Sequence, residues 1–261
     1  MKYFDSHAHY YDERFELEMA GTVDELIDGL LLEKVSYIIN VGTSPATSRE
    51  AIAQAKKHKN MYTAIGIHPS DTRFLSDMES EIADIRSLIL DVDNKCVCLG
   101  EIGLDYHYPD TDKEKQKRYF EAQMRLAEEL SIPVCIHDRE SHADIMEILR
   151  KFPNVRGILH SFSGSVEMAE ELVKMGYMIS FSGTLTFTNA RKPKEVALAL
   201  PKESVLIETD CPYLAPHPKR GTLNHSGNLE YTCATLASLW GVSEEECAKI
   251  TESNARRIFC I

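Results

Sequence analysis

The chain has 261 residues, of which 43% are hydrophobic and 27% are charged, so it can bury a sizeable core without disulfides. Its formal net charge of −12 argues against a protein that holds nucleic acid through a broad basic surface. Seven cysteines without a Cys-x-x-Cys pair, and no apolar signal region or membrane-length apolar run, predict reduced thiols and a cytoplasmic protein.

Short β-rich runs alternate with longer helical patterns along the whole chain. Between the runs, apolar residues recur at helical spacing, as at Phe120, Met124 and Ala127. This alternation, without a composition shift, predicts an α/β fold in one domain over residues 1–261, namely a TIM-type (β/α)8 barrel. An open doubly wound sheet is the alternative. The eight predicted strands are Tyr3–His7, Ser36–Val41, Tyr62–Ile67, Val97–Glu101, Pro133–His137, Gly157–His160, Tyr177–Phe181 and Val205–Asp210.

Two patterns predict helix starts. Thr111 with Glu114, and Ser243 with Glu246, have the spacing of a capping box, in which a hydroxyl and a carboxylate satisfy unpaired backbone amides. The longest irregular stretch runs from Cys211 to about Asn228 and follows the last predicted strand. A loop of that length in a compact domain is usually functional or disordered.

Polar side chains stand at the carboxyl ends of the predicted strands. In a parallel barrel these ends converge on one face, where barrel enzymes place their sites. His7 and His9 are two residues apart, so on an extended strand both point the same way and can chelate one cation. The strand-end donors form a nitrogen and oxygen set that suits zinc, manganese or similar cations. The six predicted metal ligands are His7, His9, Glu101, His137, His160 and Asp210.

Six ligands exceed the need of one tetrahedral ion, which predicts two divalent ions, Mg, Mn or Zn. Glu101 is the predicted bridge, with the strand-one histidines and Asp210 on one ion and His137 and His160 on the other. Such a pair polarises an ester or phosphodiester and lowers the pKa of water. Asp210 could accept the proton of that water, so Glu101 and Asp210 are the predicted catalytic residues. A structural ion pair or a helix cap is the alternative for each acid.

Six segments resemble the TatD family of metal-dependent DNases and related hydrolases, and they occur in the family's order across the chain. The resemblance implies a TIM barrel, a dinuclear divalent site and cleavage of phosphodiester bonds in DNA, commonly as an exonuclease. The family's metal ligands fall on the same six residues that the strand ends select. The segments are Phe4–His9, Gly66–Pro69, Gly100–Tyr106, Pro133–Arg139, His160–Gly164 and Leu206–Tyr213.

Five further residues are predicted to support the ligands or to bind substrate. Asp5 and Glu208 each lie one pleat deeper than a predicted ligand, so either carboxylate could fix an imidazole tautomer; a buried ion pair is the alternative. His68 and Arg139 are predicted to bind a substrate phosphate, or else to be hydrogen-bonded scaffold residues. Tyr213 could stack on a base or merely pack its loop.

The main hypothesis is therefore a TatD-type deoxyribonuclease that acts on DNA ends. The first alternative is a barrel amidohydrolase that acts on a small ester, lactone or amide. Many of those enzymes bridge their metals with a carboxylated lysine, whereas the predicted fourth strand ends in Glu101. The second alternative is a non-catalytic metal-binding scaffold, which the complete set of six ligands disfavours.

Overall fold

The structure is a computed structural model that describes residues 1–261. Eight strands form one parallel sheet in chain order, so each strand lies beside the strand that precedes it in sequence. All eight predicted strands are present, with ends shifted by at most a few residues. They are β1 (Tyr3–Ala8), β2 (Val35–Val41), β3 (Met61–Ile65), β4 (Cys96–Asp105), β5 (Val134–Arg139), β6 (Gly157–Leu159), β7 (Tyr177–Phe181) and β8 (Val205–Ile207).

The sheet closes where the end of β8 meets β1. The backbone N–H of Asp210 donates to the carbonyl of His7 at 2.9 Å, and the N–H of His9 donates to the carbonyl of Cys211 at 2.8 Å. Ala8 and Cys211 form an isolated parallel bridge between these segments. The predicted TIM-type barrel is confirmed, and the open doubly wound sheet is excluded.

Helices cover the outside of the barrel. Their apolar faces pack on the outward side chains of the strands, as Phe120 and Met124 do, both of which are buried. The helices are α1 (Arg14–Glu18), α2 (Val23–Glu33), α3 (Pro45–Lys57), α4 (Met78–Leu90), α5 (Lys113–Leu130), α6 (His142–Arg150), α7 (Val166–Lys174), α8 (Arg191–Ala199), α9 (Leu229–Trp240) and α10 (Glu244–Phe259). None of these helices has both the length and the apolar character that a membrane span requires.

Of the two predicted helix starts, one is correct and one is misplaced. The Ser243 hydroxyl accepts the N–H of Glu246 at 3.1 Å and begins α10. At α5 the cap is Asp112, whose carboxylate accepts the N–H of Lys115 at 2.9 Å, and not Thr111. A carboxylate directly after a hydroxyl competes for the same amides, and its charge also favours the positive end of the helix.

The interior of the barrel below the site is apolar. One buried cluster takes residues from all eight strands and is completed by Phe259 of α10, which stacks on Phe4 with ring centroids 5.8 Å apart. This apolar cluster fills the amino-terminal end of the barrel. The predicted metal ligands lie at the other end. All seven cysteines are free, and five of them are buried.

Candidate metal centre

Glu101 lies at the middle of the carboxyl-terminal face, with a different pair of imidazoles beside each carboxylate oxygen. Oε1 is 2.8 Å from Nδ1 of His137 and 2.8 Å from Nε2 of His160. Oε2 is 3.4 Å from Nε2 of His7 and 3.7 Å from Nε2 of His9. The carboxylate therefore has the position of a bridge between two groups of nitrogen donors.

An irregularity in β4 positions this side chain. Leu99 pairs with Val134, and the next paired residue, Ile102, pairs with Ile136, so β4 holds one residue more than β5 across this step. Gly100 stands at the irregularity, where a Cβ atom would lie 2.6 Å from the Cβ of Cys135. Only glycine allows the two strands to approach this closely while Glu101 remains inside the barrel.

Asp210 completes the group around Oε2 of Glu101. Its Oδ1 is 3.7 Å from Nε2 of His7 and 3.4 Å from Nε2 of His9. The residue has a φ of +57°, a left-handed conformation that aspartate tolerates better than most residues. Its N–H bond to the carbonyl of His7 ties this conformation to β1.

The spacing of these donors fits a metal ion. Four ligand atoms about 2.0–2.1 Å from one tetrahedral zinc ion lie about 3.3–3.4 Å from one another. The contacts of the two strand-one imidazoles with each other and with the carboxylates of Glu101 and Asp210 range from 3.0 Å to 3.7 Å. His137 Nδ1 and His160 Nε2 are 3.1 Å apart in the second group. Both groups thus offer convergent donors of the kind that borderline divalent cations bind.

Carboxylates contact two of the imidazoles on the side of the ring that faces away from Glu101. Nδ1 of His160 lies 3.3 Å from Oε1 of Glu208, which also accepts the N–H of Ser161 at 2.8 Å. Nε2 of His137 lies 3.2 Å from Oδ2 of Asp105, a residue that sequence analysis did not select. Each contact directs the opposite ring nitrogen toward Glu101, as carboxylates behind metal-binding histidines do.

The strand-one histidines have weaker partners. Nδ1 of His9 lies 2.7 Å from the carbonyl of Val41 and 3.2 Å from the hydroxyl of Tyr11. Nδ1 of His7 lies 3.2 Å from the thiol of Cys135. In both residues Nδ1 is occupied by the scaffold, which leaves Nε2 for the centre.

Asp5 does not contact an imidazole ring, contrary to expectation. Its carboxylate accepts the N–H of Thr209 at 3.0 Å and the hydroxyl of Thr209 at 2.6 Å. The side chain crosses from β1 to the segment that follows β8, because the barrel closes at this point. Asp5 therefore fixes the residue that precedes Asp210.

His68 lies inside the centre, although sequence analysis gave it no place among the ligands. Its Nε2 is 3.5 Å from Oε1 of Glu101, and its ring packs edge-on against His137 with centroids 4.4 Å apart. Nδ1 accepts the N–H of Ser70 at 3.1 Å. Burial lowers the pKa of His68 to about 3, so the ring is neutral near pH 7.

Arg139 and Tyr213 lie at the edge of the site. The Arg139 guanidinium is 46% exposed and 4.0 Å from Oδ2 of Asp105. Tyr213 is 45% exposed, and its hydroxyl donates to Asp12 at 2.5 Å. Neither side chain contacts a predicted ligand, so both are open to a substrate at the mouth.

The acids and imidazoles of the centre strongly shift one another's pKa values. Burial alone would raise the pKa of Glu101, but the positive charge of His160 and the hydrogen bond from His137 hold that pKa well below its usual range. Burial alone would lower the pKa of His160, but the negative charge of Glu101 raises it well above the ordinary value. Because cation binding requires ionised carboxylates and neutral imidazoles, a cation would displace protons from this cluster.

The comparisons with known proteins agree with this geometry. The family model described as TatD related DNase matches residues 4–260. The uncharacterized metal-dependent hydrolase YabD of Bacillus subtilis is 40% identical over 260 residues, which is 99% of each chain. The uncharacterized metal-dependent hydrolase YcfH of Escherichia coli is 34% identical over 98% of this chain and 95% of its own.

A solved structure gives the same result for the fold. The TatD homologue YjjV of Escherichia coli superimposes with a TM-score of 0.89 at 27% sequence identity, covering 99% of this chain and 98% of its own. The protein is a barrel with buried histidines and acids at its carboxyl-terminal face. It matches the same family over almost its entire length. The chain belongs to the TatD family of metal-dependent hydrolases.

Proposed function

We propose that the protein is a deoxyribonuclease that uses two divalent cations, Mg, Mn or Zn, to hydrolyse phosphodiester bonds at DNA ends. The observation that carries the proposal is the position of Glu101 between two groups of imidazoles, with 2.8 Å contacts on one oxygen and 3.4–3.7 Å contacts on the other. His7, His9 and Asp210 would hold one cation, and the other pair of histidines the second. Bound there, the cations would polarise the phosphodiester and lower the pKa of water toward neutrality.

Asp210 is suited to accept a proton from the attacking water. Its side chain is 15% exposed, whereas that of Glu101 is 4% exposed, so solvent reaches Asp210 more readily. Burial alone would raise the pKa of Asp210, but the hydrogen bond to His9 lowers it below its usual value. The side chain is therefore ionised near pH 7, as a general base must be.

Arg139 is suited to hold a phosphate of the substrate. Arg139 is the last residue of β5, and its guanidinium lies near Asp105, which also contacts His137. A planar guanidinium can donate two parallel hydrogen bonds to a phosphate. Its single carboxylate neighbour lies at 4.0 Å, too far for a hydrogen bond that would compete.

An amidohydrolase of small substrates is less well supported. No lysine side chain contacts any of the six predicted ligands, so the carboxylated lysine that bridges many of those centres has no counterpart here. A non-catalytic scaffold is disfavoured by the relatives, which are named as hydrolases.

The test is release of nucleotides from end-labelled single-stranded DNA with magnesium, manganese or zinc, against an EDTA control. Glu101→Ala should abolish release while circular dichroism shows an intact fold. Glu140→Ala is the matched control, because this exposed acid of the same face contacts His107 and no predicted ligand. Metal-dependent release by the wild type and the control, but not by Glu101→Ala, is the expected result.

Failure to release nucleotides with any of the three metals would overturn the nuclease proposal. A panel of lactones, amides and nitrophenyl phosphodiesters would then identify the substrate class. Near-normal release by Glu101→Ala would contradict the bridging role instead, whatever the substrate.

A further inference from the structure

Exposed aromatic side chains are confined to one face of the molecule. The chain has 9 phenylalanines, 11 tyrosines and one tryptophan, and only three of these side chains are largely exposed. Phe74 follows β3 and is 74% exposed, Tyr108 follows β4 and is 48% exposed, and Tyr213 follows β8 and is 45% exposed. All three lie on segments that follow the carboxyl ends of strands, on the face that holds the candidate metal centre.

An arginine guanidinium lies over each of these exposed rings. We call the three pairs the arginine–aromatic rim. Its members, with the distance from guanidinium carbon to ring centroid, are Arg73 over Phe74 (4.6 Å), Arg139 over Tyr108 (6.0 Å) and Arg14 over Tyr213 (5.6 Å).

Two of the rim arginines lack a close carboxylate partner. In this they differ from several arginines of the outer helices, such as Arg49, which lies 2.6 Å from Asp84. Arg73 has no carboxylate within 4.0 Å, and Arg139 has only Asp105, at 4.0 Å. A guanidinium that stacks on a ring keeps its charge and its N–H donors for an anion. Arg14 is the exception, because it is paired with a neighbouring glutamate on α1.

The positions of the three pairs around the barrel define a path for a ligand across the mouth of the site. Arg73 and Tyr108 line one cavity of about 70 Å³, so the two pairs that follow β3, β4 and β5 form a continuous surface. The Arg14–Tyr213 pair follows β1 and β8, which adjoin each other at the closure of the barrel. A linear ligand that contacts both sides of the rim passes over Glu101.

We propose that the arginine–aromatic rim binds an unpaired polynucleotide strand across the mouth, with bases stacked on Phe74, Tyr108 and Tyr213 and phosphates contacting the arginines. Base stacking on exposed rings is available to a single strand and is largely lost in a duplex, whose bases stack on each other. The three rim arginines also supply local positive charge for a polyanion in a chain whose net charge is −12. This inference rests on the proposed phosphodiesterase function and specifies its substrate.

The experiment measures binding of metal-loaded protein to a fluorescein-labelled, phosphorothioate-linked oligothymidylate of twelve nucleotides, which resists cleavage. Removing a ring on which one base stacks weakens binding about 5- to 100-fold. The double substitution Phe74→Ala/Tyr108→Ala removes two such rings and should therefore raise the Kd at least tenfold. The matched control is Leu90→Ala/Val92→Ala, which removes two exposed apolar side chains from the opposite end of the barrel. The control should leave the Kd within twofold of wild type.

A second pair of variants tests the phosphate contacts. Each of Arg73→Gln and Arg139→Gln should reduce the slope of log Kd against log salt by about 0.7, the value for one phosphate contact on a single strand. Wild-type protein that fails to bind the strand, or a Phe74→Ala/Tyr108→Ala variant that binds it as tightly as wild type, would overturn the inference. Rim-dependent binding without cleavage of natural DNA would support the binding role of the rim and contradict only the proposed nuclease activity.

Discussion

Nε2 of His137 lies 3.2 Å from Oδ2 of Asp105, on the side of the ring that faces away from Glu101. The other carboxylate oxygen of Asp105 accepts the N–H of His107 at 3.0 Å, so the acid is itself fixed. His137 is therefore held between two carboxylates. This arrangement sets the tautomer and the orientation of an imidazole that would bind a metal.

Asp105→Asn should lower the affinity for metal about 10- to 100-fold, the usual cost of losing a carboxylate behind a metal-binding histidine. The amide can still occupy the space, but it no longer supplies the negative charge that makes the imidazole a stronger ligand. Metal affinity would be measured by competition with a chromophoric chelator. The control is Asp110→Asn, on the exposed loop beyond the same strand. Equal affinities for wild type and Asp105→Asn would show that the contact does not support the ligand.

The sequence predicts the strand order and the six strand-end donors, because both depend on local patterns. It misses Asp105 because the predicted fourth strand ends at Glu101, whereas β4 continues to Asp105. Residues 101, 103 and 105 then share a face, since alternate residues of a strand point the same way. This alternate spacing from Glu101 is the sequence pattern that could have identified Asp105.

Other features of the site depend on contacts between distant segments. The bond of Asp5 to Thr209 exists because β8 meets β1, and the contact of Cys135 with His7 joins residues 128 positions apart. His68 reaches Glu101 only because β3 lies beside β4. Sequence periodicity indicates which face a side chain takes, but it does not determine which neighbour it meets across the barrel.

Metal should stabilise the fold, because the folded state gathers donors that the unfolded chain keeps apart. At a free metal concentration 100 times the Kd, binding at one site adds about 2.7 kcal/mol to the free energy of unfolding. For a chain of this size that corresponds to a rise in Tm of about 5–10 °C. Differential scanning calorimetry with and without EDTA would measure it. The same rise in Glu101→Gln would contradict the placement of the metal at this centre.

His142 should make stability depend on pH. Its Nδ1 lies 2.7 Å from Oδ2 of Asp138, and this hydrogen bond raises the pKa of His142 above its ordinary value. The stabilising contribution is fully present below the unfolded pKa of about 6.5 and is lost as pH rises through the higher folded pKa. The imidazole is 42% exposed, so solvent screening limits the contribution to about 1 kcal/mol.

The measurement is Tm from pH 5.5 to 8.5 for the wild type and for His142→Gln, both without metal. The variant should be less stable by about 1–4 °C at the acidic end, and the difference should shrink toward pH 8.5. A difference that stays constant across the range would mean that packing, and not the charge of the imidazole, is responsible.

Two glycine substitutions should have opposite effects on stability. Gly103 has a φ of +138°, and a Cβ atom there would lie 2.0 Å from the carbonyl oxygen of His137. Gly103→Ala must therefore push β4 away from β5, at a cost of about 3 kcal/mol, and lower the Tm by about 6–12 °C. Gly29 lies inside α2 with no atom within 4 Å of an added Cβ, so Gly29→Ala should raise the Tm by about 2–4 °C.

The Gly103→Ala variant should also bind metal more weakly than wild type, since the clash acts on the backbone of a predicted ligand. Gly29→Ala should keep the wild-type affinity, because α2 packs on the outside of the barrel away from the centre. Thermal unfolding and chelator competition on the same two samples measure both quantities. A Gly103→Ala chain that is destabilised and yet binds metal normally would mean that the position of His137 tolerates movement of β4, and that the centre is held chiefly from the β5 side.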